Sequence, residues 1–362
     1  MVLSNYNLKW HDEFARYPGI KLEYVPLDLM WKAANYSGMS EHYPHFFAKS
    51  AYFSFFLYDP DKFWVYDIFR VPLVQNALNA CNIRRSSIEP ETFEQAVSFI
   101  YQMINSGNLV WITYIEPILI YGFEGIPNKE RIHWYNPNIA PDGATWGRDE
   151  LEMWWMSQKS IGQHTLIAPL GVVPGINPEE EITAELAKLV IKNWQSGEII
   201  IDKDSIAAGI SAYEKFISDL RNDDFDFLKP FGNEKTLLRT AWFTFAAYSQ
   251  WTQYYAAHAF FTHIADSYSE TQKKTLRSAA DHYANAYGHW INWEKVIGRH
   301  PNEEEFFKRI GIMENRLKAA DYVDMAKLEV GKAIESLGEF LESQGISPDD
   351  KEEDETENET ED

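Results

Sequence analysis

The single cysteine is the residue with the strongest chemistry in this chain, because a thiolate is a potent nucleophile. Cys81 precedes Arg84 and Arg85 closely. Neighbouring cations favour the ionised thiolate, so these arginines would activate Cys81 for attack on an amide or a thioester. The alternative is a buried cysteine with a purely structural role. With one cysteine, an intrachain disulfide is excluded.

The ten histidines are the other residues that could bind a metal or transfer protons. His258 and His263 are five positions apart, which does not put them on one helix face. His282 and His289 are seven apart and share a face, but two turns separate them. None of these spacings forms H-E-x-x-H or a paired E-x-x-H, so we expect no metal centre. The chain also lacks the glycine-rich phosphate loops and the G-x-S-x-G elbow, so we expect no cofactor and no serine hydrolase.

The composition limits the class of protein. The chain has 362 residues, of which 45% are hydrophobic and 15% aromatic, so it can bury a large core or line an apolar pocket. The net charge of −22 argues against binding nucleic acid or an anionic membrane. We find no signal peptide and no apolar run of membrane-spanning length, which predicts a cytoplasmic protein.

One stretch has the densest strand signal, and we expect the fold to be organised around it. Residues 109–115, 117–123 and 131–135 are rich in β-branched and aromatic residues, and a polar turn at 124–130 separates the last two. They predict three central strands of a sheet. Before them we predict helices at 28–38, 71–80 and 90–106 and a strand at 52–58. After them we predict a helix at 146–157 and a strand at 164–173.

The second half has helical periodicity in segments 180–195, 205–222, 234–267, 269–293 and 302–344, and no run that predicts a strand with confidence. We therefore expect an α+β protein with a domain at 1–177, a helical domain at 178–346 and an acidic tail at 347–362. Pro348–Asp362 carries ten acidic residues and one lysine, and its composition predicts disorder.

The segment 240–265 is apolar on nearly every side, which is typical of a buried helix. Its polar residues either satisfy one another in the core or line a pocket between the two domains. For the second case, the candidate substrate-binding residues are Arg239, Tyr248, Tyr254 and His258, with Trp154 and Trp155 closing the pocket from the first domain.

Short motifs along the chain resemble the butirosin biosynthesis protein H family, in which a papain-like domain related to bacteriocin-processing peptidases precedes a helical domain. PILIYGFE at 117–124 resembles the family's strand after its catalytic histidine, and Asn136–Pro137 resembles the end of the next strand. Gly209–Tyr213 and Ala279–Tyr283 resemble the family's helical motifs. The resemblance implies a papain-like fold with a central antiparallel sheet and a Cys-His-Asn site. It also implies transfer of an acyl group from a carrier protein to an amine.

The sequence departs from that pattern at two of the three catalytic positions. Glu116 stands where the histidine is expected, and the first helix, where the nucleophile is expected, contains no cysteine. Asn136 alone matches. The resemblance thus suggests a specialised-metabolite biosynthesis protein that handles an acyl or peptidyl intermediate without a cysteine nucleophile, with Glu116 as an acid or base of raised pKa. A solvated Glu116 is the simpler alternative.

Two other functions stay open: a non-catalytic ligand-binding or scaffold protein, and a Cys81-dependent amide or thioester enzyme. The expected partner is a small-molecule or carrier-protein-bound acyl substrate, although the acidic surface opposes electrostatic docking of an acidic carrier. A homodimer is an open possibility.

Overall fold

We describe the protein from a computed structural model. It describes residues 25–54, 56–60, 73–112, 117–125, 129–137, 139–159, 165–174, 179–201, 204–227, 230–231, 234–238, 253–298 and 304–347. Within these ranges, no helix combines the length and the apolar composition that crossing a bilayer requires.

Eleven helices are described in these ranges. They are α1 (Val25–Tyr36), α2 (Tyr43–Lys49), α3 (Leu73–Ala80), α4 (Phe93–Asn105), α5 (Arg148–Lys159), α6 (Glu179–Gln195), α7 (Gly209–Arg221), α8 (253–264), α9 (Glu270–Ile297), α10 (Glu304–Ile310) and α11 (Met313–Ser343).

The described strands form three sheets. They are β1 (Leu57–Tyr58), β2 (Ile83–Ile88), β3 (Val110–Ile112), β4 (Ile118–Glu124), β5 (Arg131–Asn136), β6 (Ala140–Gly147), β7 (Leu166–Val172), β8 (Glu198–Ile201), β9 (Asp204–Ala208), β10 (Pro230–Phe231) and β11 (Glu234–Leu238). The largest sheet has the order β2-β7-β3-β4-β5-β6, the second β1-β9-β8 and the third β10-β11. All their pairings are antiparallel, so the protein is α+β, as predicted.

The middle of the large sheet is the apolar stretch that the sequence singles out. Val110 pairs with Ile120 and Ile112 with Ile118, and all four side chains are buried. Strands with apolar residues on both faces belong inside a sheet covered on both sides. The helix before them starts at a capping box, in which the Thr92 hydroxyl accepts a hydrogen bond from the Gln95 amide and the Gln95 side chain accepts one from the Thr92 amide.

The C-terminal part is a helical region in which α9 and α11 pack along each other. Their polar contacts include the Ser278 and Ser336 hydroxyls, which are 3.0 Å apart, and Glu329 Oε2, which lies 2.8 Å from His282 Nδ1 and 3.0 Å from Asn285 Nδ2. Elsewhere their facing sides are apolar and buried, which is what holds two long helices together.

The segment from Phe53 to Tyr58, which comes early in the chain, packs against this helical region. Strand β1 pairs with β9, and the Phe53 ring packs edge-on against Tyr283 with centroids 5.2 Å apart. The Gly209 amide donates to the carbonyl of Phe56 at 2.9 Å. Gly209 has a φ of +53°, and a Cβ there would lie 2.5 Å from the Trp194 carbonyl oxygen, so only glycine fits. One cluster of buried hydrophobic residues accordingly runs from Leu27 to Leu341, across the domain boundary that we predicted.

Several sequence predictions need correction. The second half contains four described strands, β8 to β11, where no confident strand was expected. Segment 205–222 starts as a strand before it becomes α7, and 234–238 is a strand rather than the start of a helix. The predicted strand at 52–58 is a strand only at Leu57–Tyr58, after a 3₁₀ turn at Tyr52–Ser54. β8 pairs with β9 and β10 with β11, so each of these strands has a partner that is its neighbour along the chain, and this pairing outweighed the helical pattern of the sequence.

Candidate functional site

The most unusual group near the large sheet is a lysine buried in α1. This helix packs against β3, β4 and β7, and its residues 26–34 are buried. Lys32 is 1% exposed, and its Nζ donates to Asp28 Oδ2 at 2.6 Å, one turn earlier. A buried ammonium destabilises the fold unless a negative charge is paired with it. Asp28, which is itself 7% exposed, supplies this negative charge. Asp28 lies in the first turn of α1.

Tyr135 joins this ion pair to the sheet. Its hydroxyl lies 3.3 Å from Lys32 Nζ, and the ammonium is 5.0 Å from the centroid of the tyrosine ring. Burial, with the negative charge of Asp28 adding to it, raises the pKa of Tyr135, so its hydroxyl stays protonated and can donate or accept. Asp28, Lys32 and Tyr135 thus form one polar group between helix and sheet, which we call the α1 ion-pair site.

Asn136 is buried and braces the end of β5. Its Nδ2 donates to the carbonyl of Pro117 at 2.8 Å, and its Oδ1 accepts from the Ile139 amide at 3.1 Å. The side chain therefore fixes the start of β4 to the turn after β5. Tyr135 contacts α1, and neighbouring residues of a strand normally point to opposite faces, so we expect Asn136 to point away from α1. The two hydrogen bonds of Asn136 support a role in holding the backbone at Pro117 in position.

Three of the predicted site residues fall outside the described part of the chain. These residues are Glu116, Arg239 and Tyr248. Their proposed roles stay predictions.

Cys81 follows α3, and its thiol is a poor nucleophile. Burial raises its pKa to about 12; the Lys49 ammonium acts in the opposite sense, and the carboxylates of Glu41 and Glu179 add to the rise. The charges that govern Cys81 are these three, rather than the arginines singled out from the sequence. Arg85 instead donates to Asn79 Oδ1 at 2.7 Å. At neutral pH the thiol is protonated, which favours the structural interpretation of this residue.

The charged groups near Cys81 form a second cluster, centred on Glu41. Glu41 Oε2 lies 2.8 Å from Lys49 Nζ, and Oε1 lies 3.3 Å from His45 Nδ1. Burial alone would raise the pKa of Glu41, but the His45 hydrogen bond and the Lys49 charge outweigh burial and lower it to about 2. The His45 ring stacks on His263 of α8 with centroids 4.6 Å apart. This cluster was not predicted from the sequence: His45 and Lys49 are four positions apart and share one face of α2, but Glu41 precedes the helix.

The aromatic residues predicted to line a pocket are in the core. Tyr254 is 1% exposed, its hydroxyl bonds that of Tyr213 at 2.5 Å, and its ring stacks on Tyr283. His258 is half-buried, and its Nδ1 lies 3.0 Å from the carbonyl of Ala280 on α9. Both residues therefore serve the packing of α7, α8 and α9, which agrees with the core alternative.

Trp154 and Trp155 pack within the first half of the chain. The Trp155 ring is buried 6.3 Å from that of Phe93 on α4, and Trp154 lies 5.6 Å from Trp146 at the end of β6. These contacts attach α5 to α4 and to the large sheet. They do not bring the tryptophans to Tyr254, so the pocket predicted between the two regions gains no support.

Fold and site together define an α+β protein, with a six-stranded antiparallel sheet, a buried ion pair within α1 and a helical C-terminal region. Over the described ranges, no three histidine, cysteine or acidic side chains are arranged to hold a metal ion. No family model matches the chain, and no curated protein matches it.

Proposed function

We propose that this protein handles an acyl or peptidyl intermediate in specialised-metabolite biosynthesis without forming a thioester to itself. In this proposal the α1 ion-pair site lies where the resembled family has its nucleophile, and the protein itself supplies no nucleophile. Such a protein would hold a thioester-bound acyl group next to an amine, so that the amine nitrogen attacks the carbonyl carbon and the thiol leaves directly. The product is an amide and a free thiol, with no acyl-enzyme on the way.

One observation carries the proposal. At the first turn of α1, where the family that the sequence resembles has its cysteine, the chain has Asp28 held by Lys32. The cysteine that the chain does have carries a thiol with a pKa of about 12. Acyl transfer through a cysteine would require a thiolate, which neither position supplies at neutral pH.

The chemistry of the site suits contact with a carbonyl. A lysine ammonium and a protonated phenol are both donors, and donors placed where negative charge develops on a carbonyl oxygen lower the barrier to attack. Asp28 accepts a hydrogen bond from Lys32, and in this proposal its carboxylate takes the proton that the attacking amine loses and passes it to the leaving thiolate. For either role, Lys32 must give up part of its contact with Asp28 or Tyr135 and contact the substrate instead.

The burial of the pair favours a second candidate function, a protein that binds without catalysing. Lys32 is 1% exposed and Asp28 is 7% exposed, and both are already paired. A site closed in this way can stabilise the fold beneath a binding surface without touching substrate. This candidate predicts saturable binding of the acyl compound with no turnover.

The test is amide formation from a synthetic acyl-pantetheine thioester and a panel of primary amines, followed by mass spectrometry. We expect product with the wild-type protein and with Cys81→Ala, and little product with Asp28→Asn or Lys32→Met. Loss of product in Cys81→Ala would overturn the proposal in favour of the thiol enzyme. If the wild type forms no product but the thioester raises its melting temperature, the binding function is correct and the catalytic one is not.

A further inference from the structure

A groove at the far end of the helical region is the described cavity with the clearest binding chemistry. It has a volume of about 530 Å³ and lies where the start of α6, the start of α9 and the end of α11 meet. Its lining residues, which define what we call the acidic groove, are Glu180, Glu181, Ala184, Glu185, Ser267, Tyr268, Ser269, Gln272, Gln344 and Ile346. It does not involve the α1 ion-pair site.

The wall formed by α6 is negatively charged. Glu180, Glu181 and Glu185 are exposed, and Glu185 lies 3.4 Å from Lys188. Glu180 and Glu181 form no ion pair with another described residue. The starts of α6 and α9 each contribute roughly half a positive charge, and the end of α11 roughly half a negative one, so the three carboxylates dominate. Their field reaches across the groove: burial raises the pKa of Tyr268, and the charges of Glu180 and Glu179 raise it further.

Part of the groove lining is apolar: Ala184 is buried, and the Tyr268 ring and the Ile346 side chain are partly buried. Lysine and arginine side chains have apolar stems that pack on such residues, while their charged heads reach nearby carboxylates. An aromatic ring also attracts cations to its face.

The sequence extends this charge beyond the groove. Ile346 lines the groove, and Pro348–Asp362, which begins two residues later, has a net charge of −9. Like charges repel, so the charge of this segment makes it a poor occupant for a groove lined by carboxylates, whereas a cationic segment is a suitable one.

We propose that the acidic groove is a docking site for a lysine- or arginine-rich segment of a partner protein. Its carboxylates bind the cationic heads, and Tyr268, Ala184 and Ile346 bind the stems. This interaction is independent of any acyl chemistry, so either proposal can fail without the other.

The test is fluorescence anisotropy with a labelled peptide of alternating arginine and serine, titrated with the full-length protein. A peptide of alternating glutamate and serine serves as the charge-reversed probe. The groove variant Glu180→Gln/Glu181→Gln/Glu185→Gln is compared with Glu314→Gln/Glu335→Gln/Glu339→Gln, which removes three exposed charges from α11. All six positions are exposed, so both variants should fold.

We expect saturable binding of the arginine peptide, weakened about tenfold or more in the groove variant and less than about threefold in the α11 variant, because only the first loses contacting charges. The glutamate peptide should not bind. Equal weakening in both variants would show attraction to net charge alone and would overturn the proposal. So would the absence of binding to the wild type at low salt.

Discussion

The buried pair in α1 permits a sharp test of what it does for the fold. Lys32→Met leaves Asp28 without its cation, and Asp28→Leu leaves Lys32 without its carboxylate, in a place where Lys32 is 1% exposed. Removing one partner of a buried pair typically costs about 3–5 kcal/mol, because the remaining charge has neither water nor a counter-ion. We expect a loss of that size for each single variant. It is a large share of the roughly 5–15 kcal/mol that stabilises a typical protein.

Replacing both residues should cost far less. In Asp28→Leu/Lys32→Met no charge is left buried, and the new side chains match the apolar surroundings of α1. Such double replacements are usually neutral or stabilising, so we expect a free energy of unfolding within about 1–2 kcal/mol of the wild type. The Tyr135 hydroxyl loses its contact with Lys32, which accounts for a cost of about 1 kcal/mol.

The assay is urea unfolding at pH 7, followed by tryptophan fluorescence, for the wild type, both single variants and the double variant. An exposed pair at the same spacing, Glu305 and Arg309 with Nε and Oε1 2.9 Å apart, provides the control. Its double-mutant cycle should give a coupling energy below about 0.5 kcal/mol. The cycle at Asp28 and Lys32 should give several kcal/mol.

Two results would refute this reasoning. Single variants that lose less than about 1 kcal/mol would mean that the pair is solvated or rearranges freely. A double variant as unstable as the singles would mean that packing, rather than charge, holds this position. A double variant that is stable but no longer handles the acyl thioester would instead separate the functional role of the pair from its structural one.

Four further predictions follow from other parts of the molecule. Because the pKa of Glu41 in the folded protein is about 2, below its ordinary 4.5, its ionisation stabilises the fold above pH 4.5 and ceases to do so as the pH falls towards 2. Glu41→Gln should therefore lower the free energy of unfolding by about 3 kcal/mol at pH 7. Urea unfolding at a series of pH values should show that the stability difference between wild type and variant shrinks below pH 4.5. A difference that stays constant with pH would contradict this. Cys81 should react with iodoacetamide at pH 7.5 only after unfolding, as peptide mass spectrometry would show, and rapid labelling of the native protein would disprove a pKa of about 12. Thr92→Ala should lower stability by about 1 kcal/mol through loss of the capping box, while Thr92→Ser should restore most of it in the same urea assay. Gly209→Ala should cost more than about 1 kcal/mol, measured as a lower melting temperature, whereas Gly288→Ala, with open space around it in α9, should not destabilise.

The elements that could be predicted from the sequence are those whose pattern is local. The strands β3 and β4 are apolar and contain several β-branched residues, β5 adds an isoleucine and two aromatic residues, and α4 has a polar start and an apolar face. Each of these patterns is recognisable within a few residues. The strands at the two edges of the large sheet have no such local pattern. β2 has two arginines and two serines among its six residues, and β6 contains proline and two glycines, so only pairing with β7 and β5 makes them strands.

The site was harder to predict than the fold for a similar reason. A lysine one turn after an aspartate usually lies on an exposed helix face, and nothing local indicates that both Asp28 and Lys32 are buried. The contact to Tyr135 joins residues that are about a hundred positions apart in the sequence. Asn136 belongs to a short sequence motif, but its partners, the backbone groups of Pro117 and Ile139, are set by the tertiary fold.

The insertion of the segment around Phe53 into the helical region has a consequence for the newly made chain. Phe53 packs against Tyr283, which the ribosome adds roughly 230 residues later. At about 5–20 residues per second, this interval is on the order of 10–50 seconds. Phe53 and Phe56 gain their partners from α7, α8 and α9 only one after another as these helices are made, and the Tyr283 contact comes last. The growing chain therefore presents an aromatic surface that invites chaperone binding, and the core around it can close only once α9 has been made.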